Sequence, residues 1–481
     1  MAIEKAKALL NWVDERFPLT SFWNEHLAKY YAPRNFNFLY FFGSLALLML
    51  VNQVVTGIFL AMNYKPDATL AFDSVEYIMR DINWGWLIRY MHSTGASAFF
   101  IVIYLHMFRA LFYGSFKKPR ELLWLFGMVI FLLLMAEAFM GYLLPWGQMS
   151  YWGAQVIISL FGSIPYVGES LALWVRGDFV IADATLNRFF AFHVIAIPLA
   201  LIGLVVLHLT ALHTVGSNNP DGIEIKKNKD ENGIPRDGIP FHPYYTVKDL
   251  FGVAVFMVIF AFIVFYIPEG GGYFLEHPNF EPADPMKTPE HIQPVWYFTP
   301  FYSILRAIPD KLGGVTAMGM AIVVLFLLPW LDRCEVKSIR YRSKVFKIAL
   351  AIFVLSFIGL GVLGTKPVSP TTTLLARVFS ILYFGFFLSL PIFSRIEHTL
   401  PLPERLTAPI IPLADRKGWH WDMLRKGLFW LTHTQAWIAG CEKLAAVSEQ
   451  VKTYCCRLTE TDGWKRASTL FAALNEKIKR T

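Results

Sequence analysis

The chain has 481 residues, of which 55% are hydrophobic, 16% are aromatic and only 17% are charged, with a formal net charge of +8 at pH 7. Soluble domains carry about 25% charged residues, and this chain has too few polar residues to cover a water-facing surface of its size. The composition therefore argues against a disordered chain, a fibrous protein or a nucleic-acid-binding module, and it predicts a polytopic membrane protein.

The four cysteines do not suggest a metal site or a covalently attached cofactor. They are Cys334, Cys441, Cys455 and Cys456, and none forms a C-x-x-C pair or a C-x-x-C-H motif. Neither a zinc ribbon nor covalently bound haem c is therefore indicated.

Eight apolar runs are each long enough to cross a bilayer as a helix. We name them spans A to H in chain order: A 37–62, B 84–109, C 122–144, D 187–213, E 248–267, F 315–331, G 346–364 and H 373–393. A ninth stretch, 149–175, is interrupted by Gly162, Pro165 and Gly168, and this pattern favours a pair of short interfacial or re-entrant helices. The sequence thus predicts an all-α polytopic membrane protein.

The distribution of lysine and arginine predicts the orientation of the chain. Basic residues are concentrated in the N-terminal segment and in the B–C, D–E and F–G loops, whereas the opposite loops are sparser. By the positive-inside rule, both termini are expected in the cytoplasm. The predicted parts are a cytoplasmic segment 1–36, a four-helix bundle 37–213, a cytoplasmic loop 214–247, four further spans 248–394 with an outer loop 268–314, and a cytoplasmic tail 395–481.

Four histidines lie inside the predicted spans in matched pairs. His92 and His106 of span B have a sequence spacing of 14, and His193 and His208 of span D have a spacing of 15. Helical rotation leaves each pair roughly on one face, with its members about 21 Å apart in depth. Spans B and D are separated by one span and therefore run parallel, so His92 is expected to face His193, and His106 to face His208.

Imidazoles that face each other across a helical bundle are typical axial ligands of haem. A single intramembrane histidine would more simply be hydrogen-bonded to a neighbouring helix. Four histidines in matched pairs favour the haem interpretation, because ionisable groups in lipid are costly and usually functional.

Glycines repeat the histidine spacing in the other two helices of the bundle. Gly43 and Gly57 of span A have a spacing of 14, as do Gly127 and Gly141 of span C. Glycine allows a flat macrocycle to approach the backbone closely, although small residues also mediate ordinary helix packing in membranes. The shared period suggests a four-helix bundle that holds two haems at two depths.

Two arginines flank the histidines of span B on the sides away from the bilayer centre. Arg89 lies one helical turn before His92, and Arg109 lies one turn after His106. Each is placed to pair with haem propionates. The alternative is that these side chains only reach to the membrane interface.

Several sequence blocks resemble one known family. They are RYMHSTGASAFF at 89–100, GYLLPWGQMSYWGA at 141–154, LHTVGSNNP at 212–220, FHPYYTVKDL at 241–250 and PVWYF at 294–298. Over roughly residues 20–398 the chain resembles the cytochrome b subunit of the cytochrome bc1 complex, a quinol:cytochrome c oxidoreductase. The chloroplast-type relative is split after span D and usually lacks span H, so the undivided type is favoured here. The long insertion in the D–E loop around 223–238 and the tail suggest a bacterial rather than a mitochondrial source.

The resemblance implies two non-covalent b-type haems, a low-potential outer one bound by His92 and His193 and a high-potential inner one bound by His106 and His208. It also implies two ubiquinone sites and a proton-motive Q cycle, in which quinol is oxidised outside and quinone is reduced inside. The implied partners are a Rieske iron–sulfur protein and cytochrome c1, in a homodimeric complex. The implied location is the bacterial inner membrane.

By resemblance, the inner quinone site involves His213, Ser217 and Asp249, with Lys248 beside the acid. The residues support this independently, because His213 ends span D and Asp249 opens span E on the same side. Quinone reduction needs proton donors near its carbonyl oxygens. For Asp249, an acid favoured by the dipole at a helix N-terminus is the alternative.

By resemblance, the outer quinol site lies between segment 141–160 and the E–F loop. That loop contains Pro294, Trp296, Tyr297 and Tyr302. Composition alone would equally suggest an interfacial aromatic belt.

The chain departs from the family pattern at two places. The 193–208 spacing is 15, where close relatives of the undivided type usually show 14, and Pro198 cannot donate to the carbonyl of Val194. A local widening of span D is therefore expected there.

The second departure is Val295, where the family usually has a glutamate that accepts the quinol proton. The nearest upstream acid is Glu290, and we expect Glu290, together with His291, to take over the proton-acceptor role. The alternative is that Glu290 is an ordinary solvated loop acid.

Two other functions remain open from the sequence alone. One is a transporter that uses the four histidines as a proton relay, which would lack the absorption bands of b-type haem. The other is a haem-anchor subunit of a dehydrogenase, which would lack two separately inhibited quinone sites.

Overall fold

Eight helices in the described residues, 2–24 and 30–406 of this computed structural model, are long and apolar enough to cross a membrane. They are span A Phe38–Ala61, B Gly85–Tyr113, C Glu121–Leu143, D Asp183–Val215, E Phe241–Tyr266, F Lys311–Leu331, G Lys344–Gly364 and H Pro370–Ile396. The predicted all-α architecture with eight spans is confirmed. The predicted tail beyond residue 406 lies outside the described residues.

Shorter helices occupy the segments between the spans. They are Ala2–Asp14 and Leu19–Trp23 before span A, Ala71–Arg80 before B, Gln148–Phe161 and Gly168–Arg176 before D, and Thr299–Ala307 before F. The pair before span D confirms the interrupted stretch predicted at 149–175. A Cβ at Gly168 would lie only 2.5 Å from the carbonyl oxygen of Phe161, so the chain needs glycine to turn back so closely.

A two-stranded antiparallel sheet joins the segment before span A to the D–E loop. Strand β1 is Tyr31–Pro33 and strand β2 is Gly238–Pro240, with Tyr31 opposite Pro240. The N–H of Phe241 extends the pairing by donating to the carbonyl of Tyr30 at 2.7 Å. This small sheet brings Tyr30 to the end of span D.

The spans pack in neighbouring pairs around two apolar cores. Span A packs along B, C along D, and G along H, while helix Thr299–Ala307 packs against F, G and H. The larger core connects spans B and C to the later spans through buried aromatic residues, including Phe100, Phe131, Phe353 and Phe387. A second core lies under the helices between C and D.

Span D contains the widening that the sequence predicts. Residues Phe192–Ala196 form a π-helical turn, and Pro198 follows shortly after it. Proline has no N–H to donate and its ring clashes with the carbonyl one turn earlier. A wider turn relieves both problems and accommodates one additional residue.

A buried ion-pair group fastens the loops on the side predicted to be cytoplasmic. Asp332, which follows span F, pairs with Lys117 at 2.7 Å and with Arg342 at 2.5 Å. Arg342 also pairs with Glu397, just after span H. All four side chains are at most 6% exposed.

A neighbouring group connects the B–C, D–E and F–G loops. Glu224 pairs with Arg120 at 2.6 Å and with Lys337. Burial alone would raise the pKa of Glu224, but the hydrogen bonds and charges of Arg120 and Lys337 lower it to about 2. The loops are therefore joined through a carboxylate that stays ionised.

We predict that Asp332→Asn strongly destabilises the protein. The substitution leaves Lys117 and Arg342 buried beside an uncharged partner, and removing one member of a buried ion pair costs about 3–5 kcal/mol. The exposed pair of Glu76 and Arg80 provides the control, because Glu76→Gln should leave the unfolding midpoint almost unchanged. Thermal unfolding of the detergent-solubilised protein measures both variants, and equal midpoints would contradict the prediction.

Candidate functional site

The two members of each histidine pair lie near each other across the bundle, as the helix spacing predicts. The rings of His92 and His193 have their centroids 6.1 Å apart and are nearly perpendicular, at 86°. His106 and His208 lie close enough for the charge of one to act on the other. The structure thus brings together both predicted pairs, while their role as haem ligands stays a prediction.

Each glycine of the repeated spacing lies opposite one of these histidines. A Cβ added at the glycine would approach Cε1 of the ring at 3.5 Å for Gly43 and His106, at 3.2 Å for Gly57 and His92, and at 3.2 Å for Gly127 and His208. At Gly141 a Cβ would collide with the ring of His193. The glycines therefore share the histidine period because they allow the imidazoles to lie against spans A and C.

The hydrogen bonds of the outer pair assign a proton to Nδ1 of both rings. The Thr56 hydroxyl donates to the carbonyl of Asn52 at 2.6 Å, so its oxygen accepts from Nδ1 of His92 at 2.9 Å. Nδ1 of His193 donates to the backbone carbonyl of Glu137 at 2.9 Å. In the tautomer with the proton on Nδ1, the lone pair of Nε2 is available to bind a metal. An axial histidine ligand requires this tautomer.

The inner pair has a different environment. The Arg109 guanidinium donates to Nδ1 of His106 at 3.2 Å and lies over the ring of Tyr40 at 4.9 Å. Nδ1 of His208 is buried and makes no hydrogen bond of ordinary geometry with the described residues. For His106 to bind iron through Nε2, Arg109 must leave Nδ1, and the predicted pairing of Arg109 with a propionate would draw it away.

The outer arginine keeps its predicted position relative to the histidines. Arg89 lies one helical turn before His92 in span B, and its side chain is half-buried. Its pairing with a propionate stays a prediction.

At the inner end of span D, Tyr30 joins two of the predicted quinone-site residues. Its ring lies 4.6 Å from that of His213 between centroids, and its hydroxyl lies 3.0 Å from the Ser217 oxygen. Burial raises the pKa of Tyr30 above its ordinary value, so its hydroxyl stays protonated. Sequence reasoning missed Tyr30, because only the pairing of β1 with β2 places it there.

The other two predicted residues of the inner site have different partners. The carboxylate of Asp249 accepts from the Ser44 hydroxyl at 2.7 Å. Lys248 donates to the carbonyl of Phe36 at 2.9 Å and lies over the ring of Tyr245. The carboxylate of Asp249 is therefore fixed against span A, and the ammonium group of Lys248 is fixed against the segment that leads into span A.

The PVWYF motif packs against span B. Tyr297 is only 3% exposed, its ring stacks on Phe100 at 3.9 Å, and its carbonyl accepts from the Tyr104 hydroxyl at 2.5 Å. The Trp296 indole donates to Ser97 at 3.0 Å. An interfacial belt would leave Tyr297 exposed to lipid headgroups, so its burial favours a specific site over a belt.

Other residues predicted for the outer site lie at the edges of this motif. The Tyr302 hydroxyl donates to the carbonyl of Ile292 at 3.3 Å, and Pro294 is half-buried. Glu290 has an exposed side chain, whereas Val295 is 3% exposed. The proton-acceptor role of Glu290 stays a prediction.

The E–F loop is fixed to the segment after span C. Backbone bonds join Gln148 N–H to the Glu281 carbonyl and Ala283 N–H to the Trp146 carbonyl, both at 3.0 Å. The Ser150 N–H donates to the Asn279 side chain at 2.8 Å. The structure therefore brings together the two segments that sequence analysis assigned to the outer site.

Sequence reasoning missed one acid in this loop. Glu276 is 5% exposed and accepts from the Tyr142 hydroxyl at 2.6 Å. Burial raises its pKa to about 7, although the hydrogen bond from Tyr142 opposes the increase. No sequence signal distinguished Glu276 from the other acids of the loop.

Comparisons with known proteins agree with the sequence blocks. Residues 27–216 match the family profile described as "Cytochrome b/b6/petB", and residues 282–384 match "Cytochrome b(C-terminal)/b6/petD". A cytochrome b from Allochromatium vinosum is 63% identical, covering 85% of this chain and 100% of that protein. A cytochrome b from Rickettsia prowazekii is 52% identical, covering 84% and 98%.

A solved structure is also similar. One chain of a structure described as "Hyperthermophilic respiratory Complex III" superposes with a TM-score of 0.75 at 41% sequence identity. The similarity covers 81% of this chain and 99% of that chain. Fold and sequence therefore identify the same group of proteins.

We predict that the four histidines act spectroscopically in two pairs. His92→Leu and His193→Leu should remove the same b-type component, because their rings face each other at one depth. His106→Leu and His208→Leu should remove the other component. Reduced-minus-oxidised absorption spectra of the four variants measure this, and loss of one component by both His92→Leu and His208→Leu would contradict the pairing.

Proposed function

The chain belongs to the cytochrome b family of respiratory complex III, and from this premise we propose that it is the di-haem, quinone-binding subunit of a proton-motive quinol:cytochrome c oxidoreductase. It oxidises quinol at the outer face and reduces quinone at the inner face. A Rieske iron–sulfur protein and cytochrome c1 are the proposed partners, in a homodimeric complex. The proposed location is the bacterial inner membrane, with both termini in the cytoplasm.

Four imidazoles would hold two b-type haems in this function. His92 and His193 would bind the outer one, and His106 and His208 the inner one. A bound haem iron carries one electron at a time, and two of them at different depths connect the two faces of the membrane. The Thr56 hydroxyl and the Glu137 carbonyl fix the rings of the outer pair with Nε2 directed away from these bonds.

The inner site is proposed to supply protons to quinone. His213, Ser217 and Tyr30 form one hydrogen-bonding and aromatic group at the end of span D. Asp249 lies at the beginning of span E, with Lys248 beside it. These groups carry or relay the protons that the two carbonyl oxygens of quinone need on reduction.

The outer site is proposed to bind quinol between the PVWYF motif and the segment after span C. Trp296 and Tyr297 are fixed by their bonds to span B, so they form a rigid aromatic wall. Tyr302 contacts the chain just before the motif. A rigid wall keeps the quinol ring in place and restricts the entry of water.

The single observation that carries this proposal is the facing pair of His92 and His193 rings, together with four glycines that each lie against one of the four histidines. Small-residue packing alone would not place each glycine opposite a histidine.

The test uses the assembled complex in detergent. We expect reduced b-type absorption bands and quinol-dependent reduction of a c-type cytochrome that is stopped separately by an outer-site and an inner-site quinone antagonist. Missing bands would support the proton-relay transporter instead. Bands with a single class of inhibited site would support the haem-anchor subunit.

We predict that truncation after residue 410 leaves both haems bound. The bonds that fasten the end of the bundle unit lie before this position, since Arg405 pairs with Asp237 at 2.9 Å and Arg34 donates to the Leu406 carbonyl at 2.9 Å. Haem content per protein, measured from spectra, checks this expectation. Loss of both haems from a stable truncated complex would contradict it.

Truncation after residue 396 provides the contrasting variant. It removes Glu397, and the buried Arg342 then loses one of its two carboxylate partners. We expect a lower unfolding temperature for this variant than for the one that ends at residue 410.

A further inference from the structure

The E–F loop contains one buried carboxylate that the proposed function has not used. Its six acids are Glu269, Glu276, Glu281, Asp284, Glu290 and Asp310, and of these only Glu276 is buried. Glu290 and Glu281 are exposed. Val295, which occupies the position of the usual glutamate, is 3% exposed and cannot accept a proton.

Glu276 has a fixed position against span C. Its Oε2 accepts from the Tyr142 hydroxyl at 2.6 Å, and its carbonyl accepts from the N–H of Asn279 at 2.9 Å. Asn279 is itself bonded to Ser150, and a Cβ at Gly147 would collide with the Asn279 carbonyl oxygen. The loop therefore approaches the segment after span C too closely to move without breaking these contacts.

Glu276 also lies beside the PVWYF motif, and the chain reaches the protein surface at the next residue. Its charge acts on Tyr297, whose pKa is raised by burial first and by Glu276 second. The next residue, His277, has a side chain that is 74% exposed. A proton on Glu276 is therefore close to the proposed quinol site on one side and to the outer surface on the other.

We propose that Glu276 is the proton acceptor for quinol oxidation at the outer site, in the role that the sequence suggested for Glu290. This inference rests on the proposed function. The O–H bond of one quinol hydroxyl breaks, and its proton forms a new O–H bond with the Glu276 carboxylate. The two electrons of quinol would leave one at a time, to acceptors that a bound iron–sulfur protein and an outer b-type haem would supply, and the second proton is released to water.

Tyr142 acts as a positioning residue in this proposal. Its hydroxyl holds Oε2 of Glu276, which leaves Oε1 to accept from the quinol. After transfer, the protonated acid passes its proton to water near His277 and returns to the carboxylate form.

The environment of Glu276 suits a proton that is taken up and released near neutral pH. Burial raises its pKa to about 7, while the hydrogen bond from Tyr142 lowers it. The titratable groups that act on it are Tyr142 of span C and Tyr297 of the motif. Since only the carboxylate accepts a proton, the rate of quinol oxidation should rise with pH through about 7.

The experiment compares the variants Glu276→Gln, Glu281→Gln and Glu290→Gln of the assembled complex. Decylubiquinol is the electron donor and a soluble c-type cytochrome is the acceptor. Glu276→Gln should lower the rate by about a hundredfold and abolish the rise with pH, with unchanged haem spectra. Glu281→Gln, in the same loop but exposed, should keep the wild-type rate and pH profile. Adding Val295→Glu to Glu276→Gln should restore part of the rate, because it returns a carboxylate to the site.

Two results would overturn the proposal. One is a wild-type rate and pH profile in Glu276→Gln; the other is a loss of rate in Glu290→Gln that Glu276→Gln does not show. If Glu276→Gln does not assemble, Glu276→Asp provides the test. The shorter acid no longer reaches Tyr142, so the pH midpoint of quinol oxidation must shift. An unshifted pH profile refutes the inference. A wild-type complex without b-type bands or quinol oxidation would instead refute the proposed function.

Discussion

The structure depends on the need to place four imidazoles inside an apolar bundle without steric conflict. Each ring lies against the backbone of a neighbouring helix at a glycine, and at Gly141 the close approach leaves no space for a methyl group. A polar ring in lipid also needs a hydrogen-bond partner for the nitrogen that does not bind a metal. Thr56 and the carbonyl of Glu137 provide these partners for the outer pair. Spans A and C are therefore as much a part of the site as the spans that carry the histidines.

The same need explains the irregular turn in span D. In a regular helix, a spacing of 15 rotates the second ring by about 100° relative to a spacing of 14. The histidines of span B have a spacing of 14, so in a regular span D the two rings would be rotated relative to each other by a different angle from the two rings of span B. The π-helical turn at Phe192–Ala196 takes up the additional residue. His193 itself lies within this turn, so the widening acts directly on the position of one ring.

The sequence predicted those features that depend on periodicity along one helix or on local backbone chemistry. Hydropathy located the eight spans, the spacings within spans B and D located the histidine pairs, and Pro198 located the wide turn. Features that depend on contacts between distant segments were not predictable. Tyr30 reaches His213 only because β1 pairs with β2, a strand that lies beyond the first four spans in the chain. Glu290 is close to Val295 along the chain, and its role stays a prediction, whereas the burial of Glu276 is determined only by the folded loop.

Two consecutive residues at the outer end of span C connect the histidine bundle to the E–F loop. Gly141 faces the ring of His193, and Tyr142 binds the carboxylate of Glu276. Because both belong to the last turn of one helix, a displacement of the His193 ring against Gly141 would also move the hydroxyl that holds Glu276. The segment that follows is fixed to the loop by further bonds through Gln148 and Ser150. The pair of His92 and His193 and the proposed proton acceptor thus share one rigid support.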